Sequence, residues 1–180
     1  MAKKLDIASL VSHIGSGYPQ PFGNSCARRE RKRLAEAAGL DKIGVTLLRL
    51  PAGSWSTERH WHLNSDEFVY VLEGEAVLVT DEGEEILRAG DAAGFKAGKA
   101  NGHHLQNRSS ADVLLLEIGC HLQNDTAYYS DIDLIASLID GHSNDASRRA
   151  AVRRSPPVGV RAPLTSGPNQ AGIFLAGRTL

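Results

Sequence analysis

His60, Trp61 and His62, followed by Glu67, and a second histidine pair at His103 and His104, are the residues of this chain best equipped for chemistry. On a strand, residues i and i+2 point to the same side, so His60 and His62 present two imidazoles to one face. The polar run Asn64-Ser65-Asp66 reads as a turn, and Glu67 opens the next strand with a carboxylate. Imidazole and carboxylate suit zinc, iron, manganese, nickel and copper, and no thiolate is placed among them. We therefore expect one divalent transition metal ion (Zn, Fe, Mn or Ni), held by His60, His62, Glu67 and one histidine of the later pair. Glu58 shares parity with His60 and His62, which makes it the candidate proton acceptor at the cavity, with a salt bridge at the barrel mouth as the favoured alternative. Lys96 could reach an anionic substrate but reads first as a snorkelling surface lysine, and Trp55, Trp61 and Tyr70 read as packing or dimer-face aromatics.

The elements that must carry these groups are short strands. Val45–Leu50, Glu58–His62, Glu67–Leu72, Ala76–Thr80, Glu85–Arg88, Ala92–Phe95, His103–Asn107 and Val113–Ile118 follow one another with turn residues between them. That rhythm predicts an antiparallel sandwich or barrel. Before them, Ala27 to Ala38 is rich in helix formers and ends at Gly39, which predicts a helix of about three turns with a glycine C-cap. The arginines in it are read as a solvated face and not as a nucleic-acid site, because no second basic element accompanies them. We divide the chain into an N-terminal arm and helix (1–42), a barrel (43–122), a segment packing on it (123–140) and a disordered tail (141–180).

Bulk properties agree with one domain. The chain has 180 residues, 42% hydrophobic and 23% charged, with a formal net charge of −1; this balance gives no push toward nucleic acid or an anionic membrane. The longest apolar run, Val113 to Leu116, is far too short to span a bilayer. Lys3 and Lys4 precede no apolar stretch of the signal-peptide kind. Cys26 and Cys120 form no disulfide framework and read as free thiols, so a cytoplasmic location is expected.

Together these residues resemble the cupin superfamily. Its first motif is matched by Gly53, His60, His62, Glu67 and Gly74, with six residues rather than five between Gly53 and His60. Its second is matched by Gly90, Gly98, His103 and Asn107; Lys96 stands where proline is usual, and the loop from Gly98 to His103 is two residues longer. The stretch from Gly94 to Ser109 is similar to small, mostly uncharacterised bacterial single-domain cupins, some carrying labels such as sugar-phosphate isomerase.

The resemblance implies an all-β double-stranded β-helix (jelly-roll) barrel, with the metal near one mouth. It also implies His103 as the fourth ligand; counted from Asn107, His104 then points the other way, and it is the alternative ligand. The expected function is that of a metal-dependent enzyme, an isomerase, epimerase or lyase acting on a small sugar or carboxylate. An iron dioxygenase and a non-catalytic binding or sensor protein are the alternatives. The expected partners are a small-molecule ligand and a second copy in a homodimer, with neither nucleic acid nor membrane.

Overall fold

The protein is described by a computed structural model covering residues 4–120, 122, 124–138 and 150–153. The expected tail at 141–180 lies outside the described residues, except for the backbone of 150–153.

The described residues form thirteen strands, one helical turn of α type and two short 3-10 turns at Ile7–Ser9 and Asn24–Cys26. In order the strands and the α turn are β1 (His13–Ile14), β2 (Glu30–Arg33), α1 (Leu34–Ala37), β3 (Ile43–Leu50), β4 (His60–His62), β5 (Glu67–Glu73), β6 (Glu75–Thr80), β7 (Gly83–Arg88), β8 (Ala92–Phe95), β9 (His104–Gln106), β10 (Val113–Cys120), β11 (Asp125–Tyr129), β12 (Ile135–Leu138) and β13 (Ala150–Arg153). The all-β expectation holds.

The closed jelly-roll barrel does not form. The strands lie in three open sheets: β1-β2-β3-β10-β5-β8, β13-β12-β11-β4 and β7-β6-β9. The reason is strand length at the seam. β4 and β9 have three residues each, and among the described residues the strand pairing across them is limited to the isolated bridges His60↔His103 and Trp55↔Gln106. Two bridges make no ladder, so each sheet keeps its edges.

Apolar alternation explains the packing. Leu48 and Leu50 of β3, Val69 and Val71 of β5, and Val113 and Leu115 of β10 share one face and meet Ala76, Leu78, Leu87 and Leu105 from the three-stranded sheet. Leu48, Leu50, Val71, Val113 and Leu115 are fully buried, and burying such a side chain is worth roughly 1.5–3 kcal/mol. Gly74 makes the tight turn between β5 and β6 at φ 81°; a Cβ there would sit 2.8 Å from the Asp112 carbonyl oxygen.

The helix expected over 27–38 is a correction. Only Leu34–Ala37 is α-helical, and Glu30–Arg33 is a strand paired with both β1 and β3. Arg31 lies opposite Leu48, and its guanidinium is held by Glu117 at 2.8 and 2.9 Å. A ladder and a distant ion pair override local helix propensity, which is a weak preference. The glycine stop survives: Gly39 adopts φ 73°, and Leu40 N donates to Ala35 O in a Schellman-type closure.

Candidate metal centre and its two cavities

Three elements deliver the site. β4 carries His60 and His62, β5 begins at Glu67, and His103 is bridged to His60 by paired backbone bonds, His60 N to His103 O at 3.2 Å and His103 N to His60 O at 2.9 Å. The Nε2 atoms of His60 and His62 are 3.1 Å apart. Glu67 Oε1 is 3.5 Å from His62 Nε2, and Oε2 is 3.9 Å from His60 Nε2 and 3.0 Å from His103 Nε2. The ligand atoms of His60, His62 and Glu67 all lie within 4.8 Å of one another. Two imidazole nitrogens and a carboxylate that converge in this way fit a divalent transition metal ion.

The far side of each β4 imidazole is anchored. His62 Nδ1–H donates to Asp125 Oδ2 at 2.5 Å. His60 Nδ1 lies 3.0 Å from the Glu58 carbonyl oxygen and 2.8 Å from Thr57 Oγ1. Holding the proton on Nδ1 leaves Nε2 free to ligate, and a carboxylate behind a histidine fixes its ring orientation. Asp125 is itself held by Asn64 N–H at 2.9 Å. Phe95 stacks on His103 with centroids 3.6 Å apart, and Tyr129 lies over His60 at 5.6 Å.

Burial sets the charge states. It pushes the His60 imidazolium down to about 3, so the ring is neutral at ordinary pH. Burial alone would raise the Glu67 carboxyl, but the His103 hydrogen bond and the surrounding imidazoles outweigh it and bring Glu67 down to about 2. The Asp125 carboxyl is likewise raised by burial, yet Asn64 N–H and His62 hold it below the usual carboxylate range. A neutral imidazole beside ionised carboxylates is the protonation state a cation requires.

The side chains of the other expected residues are engaged elsewhere than in this cluster. Glu58 Oε1 accepts from Gly23 N–H at 2.8 Å in the N-terminal arm. His104 turns from Glu67: its Nδ1 faces the Thr57 carbonyl oxygen at 3.0 Å, Nε2 faces Gln106 at 2.8 Å, and its ring meets Trp55 edge-on. Asn107 is buried and donates to Leu50 O and Ala111 O.

Two cavities of about 230 Å³ each flank the cluster. The inner one joins His60, Glu67 and His103 to Arg31, Thr46 and Glu117. The outer one joins His62, Glu67 and His103 to Lys96, Lys99 and Asn101. Sequence reading missed Asp125, Thr57 and the Arg31–Glu117 pair. Asp125 reaches the site only because β11 pairs with β4 in the register Ala127↔His62 and Tyr129↔His60. The signal available was an acidic residue on the first position of an alternating strand; nothing local tied it to His62.

An all-β protein with a histidine–carboxylate centre between two cavities is the class that this geometry defines. Residues 46–119 match the cupin domain model. The chain is 39% identical to a sugar phosphate isomerase of the cupin superfamily from Silicibacter pomeroyi, over 87% of this chain and 98% of that one, with a TM-score of 0.79. It is 29% identical to a provisionally named sugar phosphate isomerase from Acidithiobacillus ferrooxidans, over 72% and 82% of the two chains, at TM-score 0.63. A predicted oxalate decarboxylase from Thermotoga maritima shares the fold at 22% identity and TM-score 0.55, over 67% of this chain and all of that one. No curated protein matches the chain. The chain belongs to the cupin superfamily. Among the described residues no helix is long and apolar enough to cross a membrane.

Proposed function

We propose that this protein is a metal-dependent isomerase acting on a small polar metabolite of the sugar-phosphate class. The observation that carries the reading is the convergence of His60, His62 and Glu67 on one point beside the inner cavity. The two relatives named as sugar phosphate isomerases support the reaction class.

His60, His62, Glu67 and His103 are the ligand set in this reading. When bound, a divalent ion supplies Lewis-acid polarisation of a carbonyl oxygen. The chain's own groups do the remaining work. Asp125 and the Glu58 carbonyl hold the β4 imidazoles in the ligating tautomer, so Glu58 acts through its main chain, its carboxylate being committed to Gly23. Lys96 and Lys99 line the outer cavity and suit an anionic group such as a phosphate. The protein would work in the cytoplasm, where its free thiols Cys26 and Cys120 stay reduced, with no nucleic-acid partner. It would work as a homodimer, for which Phe68, Tyr70 and Leu72, exposed along the outer face of β5, offer an apolar surface.

The test is turnover of a panel of aldose and ketose phosphates by the full chain loaded in turn with Zn(II), Mn(II), Fe(II) and Ni(II). At least one form should interconvert a pair, His60→Ala should abolish the conversion, and Lys96→Ala should raise KM about tenfold with kcat largely kept. Conversion that survives His60→Ala, or inactivity of all four forms, overturns the reading.

A further inference from the structure

The floor of the inner cavity is made of two glycines that the backbone does not require. Gly44 and Gly119 are paired across β3 and β10, and Glu67 stands opposite Gly119 on β5. Neither has a positive φ. A Cβ on Gly44 would come no nearer than 3.6 Å to the Gly119 carbonyl oxygen, and one on Gly119 no nearer than 3.6 Å to the Asp66 carbonyl oxygen. Both are ordinary contacts. Glycine weakens a strand interior, so its presence here in a facing pair calls for a reason other than backbone geometry. What the missing side chains leave is room beside Glu67.

The next inward row is polar. Glu117 lies opposite Thr46 on one side and Val69 on the other. Arg31 holds both of its oxygens at 2.8 and 2.9 Å, and the two side chains are 24% and 23% exposed in the cavity wall. Arg31 also reaches the Ser56 carbonyl oxygen at 3.3 Å. One row further the wall is closed by Leu48, Leu115 and Val71. An ion pair at the edge of an apolar core forgoes hydration, and this one faces the same space as the metal ligands. A lone arginine there would ask for an anion, and a lone carboxylate for a cation. The mutually neutralised pair sets carboxylate lone pairs beside guanidinium N–H groups. That is the complement of adjacent hydroxyls, each of which both donates and accepts.

We propose that Arg31 and Glu117, over the Gly44–Gly119 floor, form a polyol-binding subsite that receives the neutral, hydroxyl-bearing part of the substrate. The assignment rests on the isomerase reading in placing that substrate against the same metal cluster. It also orients the substrate: hydroxyls inward to Arg31 and Glu117, the anionic group outward to Lys96 and Lys99.

The experiment uses the full chain loaded with Zn(II), xylitol as the probe, and 1,5-pentanediol as a neutral control lacking the inner hydroxyls. Binding is followed by saturation-transfer NMR, zinc per chain by elemental analysis, and folding by circular dichroism. Xylitol should bind at least tenfold more tightly than 1,5-pentanediol. Gly119→Val, which fills the floor with a good strand former, should weaken xylitol at least tenfold at unchanged zinc content and melting temperature. Glu117→Gln should weaken it similarly. Xylitol bound equally well by Gly119→Val or Glu117→Gln, matched by 1,5-pentanediol, or not bound by the native chain overturns the subsite. If the chain fails to retain zinc while xylitol binding stays sensitive to Gly119→Val, the metal-dependent reading falls and the subsite stands.

Discussion

At the scale of single residues, the site is organised from behind. His60 and His62 present Nε2 to a common point because their Nδ1 atoms are already engaged, by the Glu58 carbonyl and by Asp125. Removing the carboxylate behind a ligand histidine loosens its orientation and lowers its basicity, which typically costs 10–100-fold in metal affinity. Asp125→Asn should therefore weaken zinc binding by about that factor in competition with a chelator, while His60→Ala should remove stoichiometric metal altogether. If Asp125→Asn binds zinc like the native chain, the Asp125–His62 contact has no part in tuning the centre.

At the scale of elements, β10 is the pivot. It lies between β3 and β5, supplies Leu115 to the core, and two residues on turns Glu117 into the inner cavity. Leu115 is fully buried, so Leu115→Ala should destabilise the fold by about 2–5 kcal/mol, read from urea denaturation. A loss well under that range would mean that the core collapses around the deletion. β11 has a comparable part at the other side of the site, since only its pairing with β4 brings Asp125 within reach of His62.

For the molecule as a whole, acid is the natural destabilising agent. The folded His60 takes a proton only near pH 3, against an ordinary value of 6.5. As pH falls below about 6.5 the unfolded chain binds that proton first, so stability declines from there toward pH 3. Glu67 has the same sign lower down: its folded value of about 2 against 4.5 gives stability that is present above 4.5 and lost as pH falls toward 2. At pH 5 the His60 contribution alone should cost the metal-free protein about 2 kcal/mol relative to pH 7, read as a shift in the urea midpoint. An unchanged midpoint between pH 7 and 5 would show that His60 is not held neutral by burial. Assembly is tested at this scale too. Phe68 and Tyr70 are 41% and 38% exposed on the outer sheet face, so Phe68→Glu should convert a dimer to monomer by light scattering without altering zinc content. A native chain that is already monomeric removes the dimer.

What could be read directly from the chain was what is local and periodic. Alternation and turn residues outlined β3 and β5 to β8 nearly to their ends, because a strand's two faces and its stops are written in neighbouring residues. The i, i+2 histidines with Glu67 on the following strand announced a cation site for the same reason. Tertiary structure decided everything that depends on partners far along the chain. The stretch at Glu30–Arg33 became a strand because β3 and Glu117 were there to receive it. The sheets stayed open because β4 and β9 are too short to ladder across the seam. Asp125 and the Arg31–Glu117 pair joined the site through registers between segments separated by 63 and 86 positions. Periodicity encodes which face a residue takes, whereas the identity of the group it meets across a sheet is set by pairing, which no single segment contains.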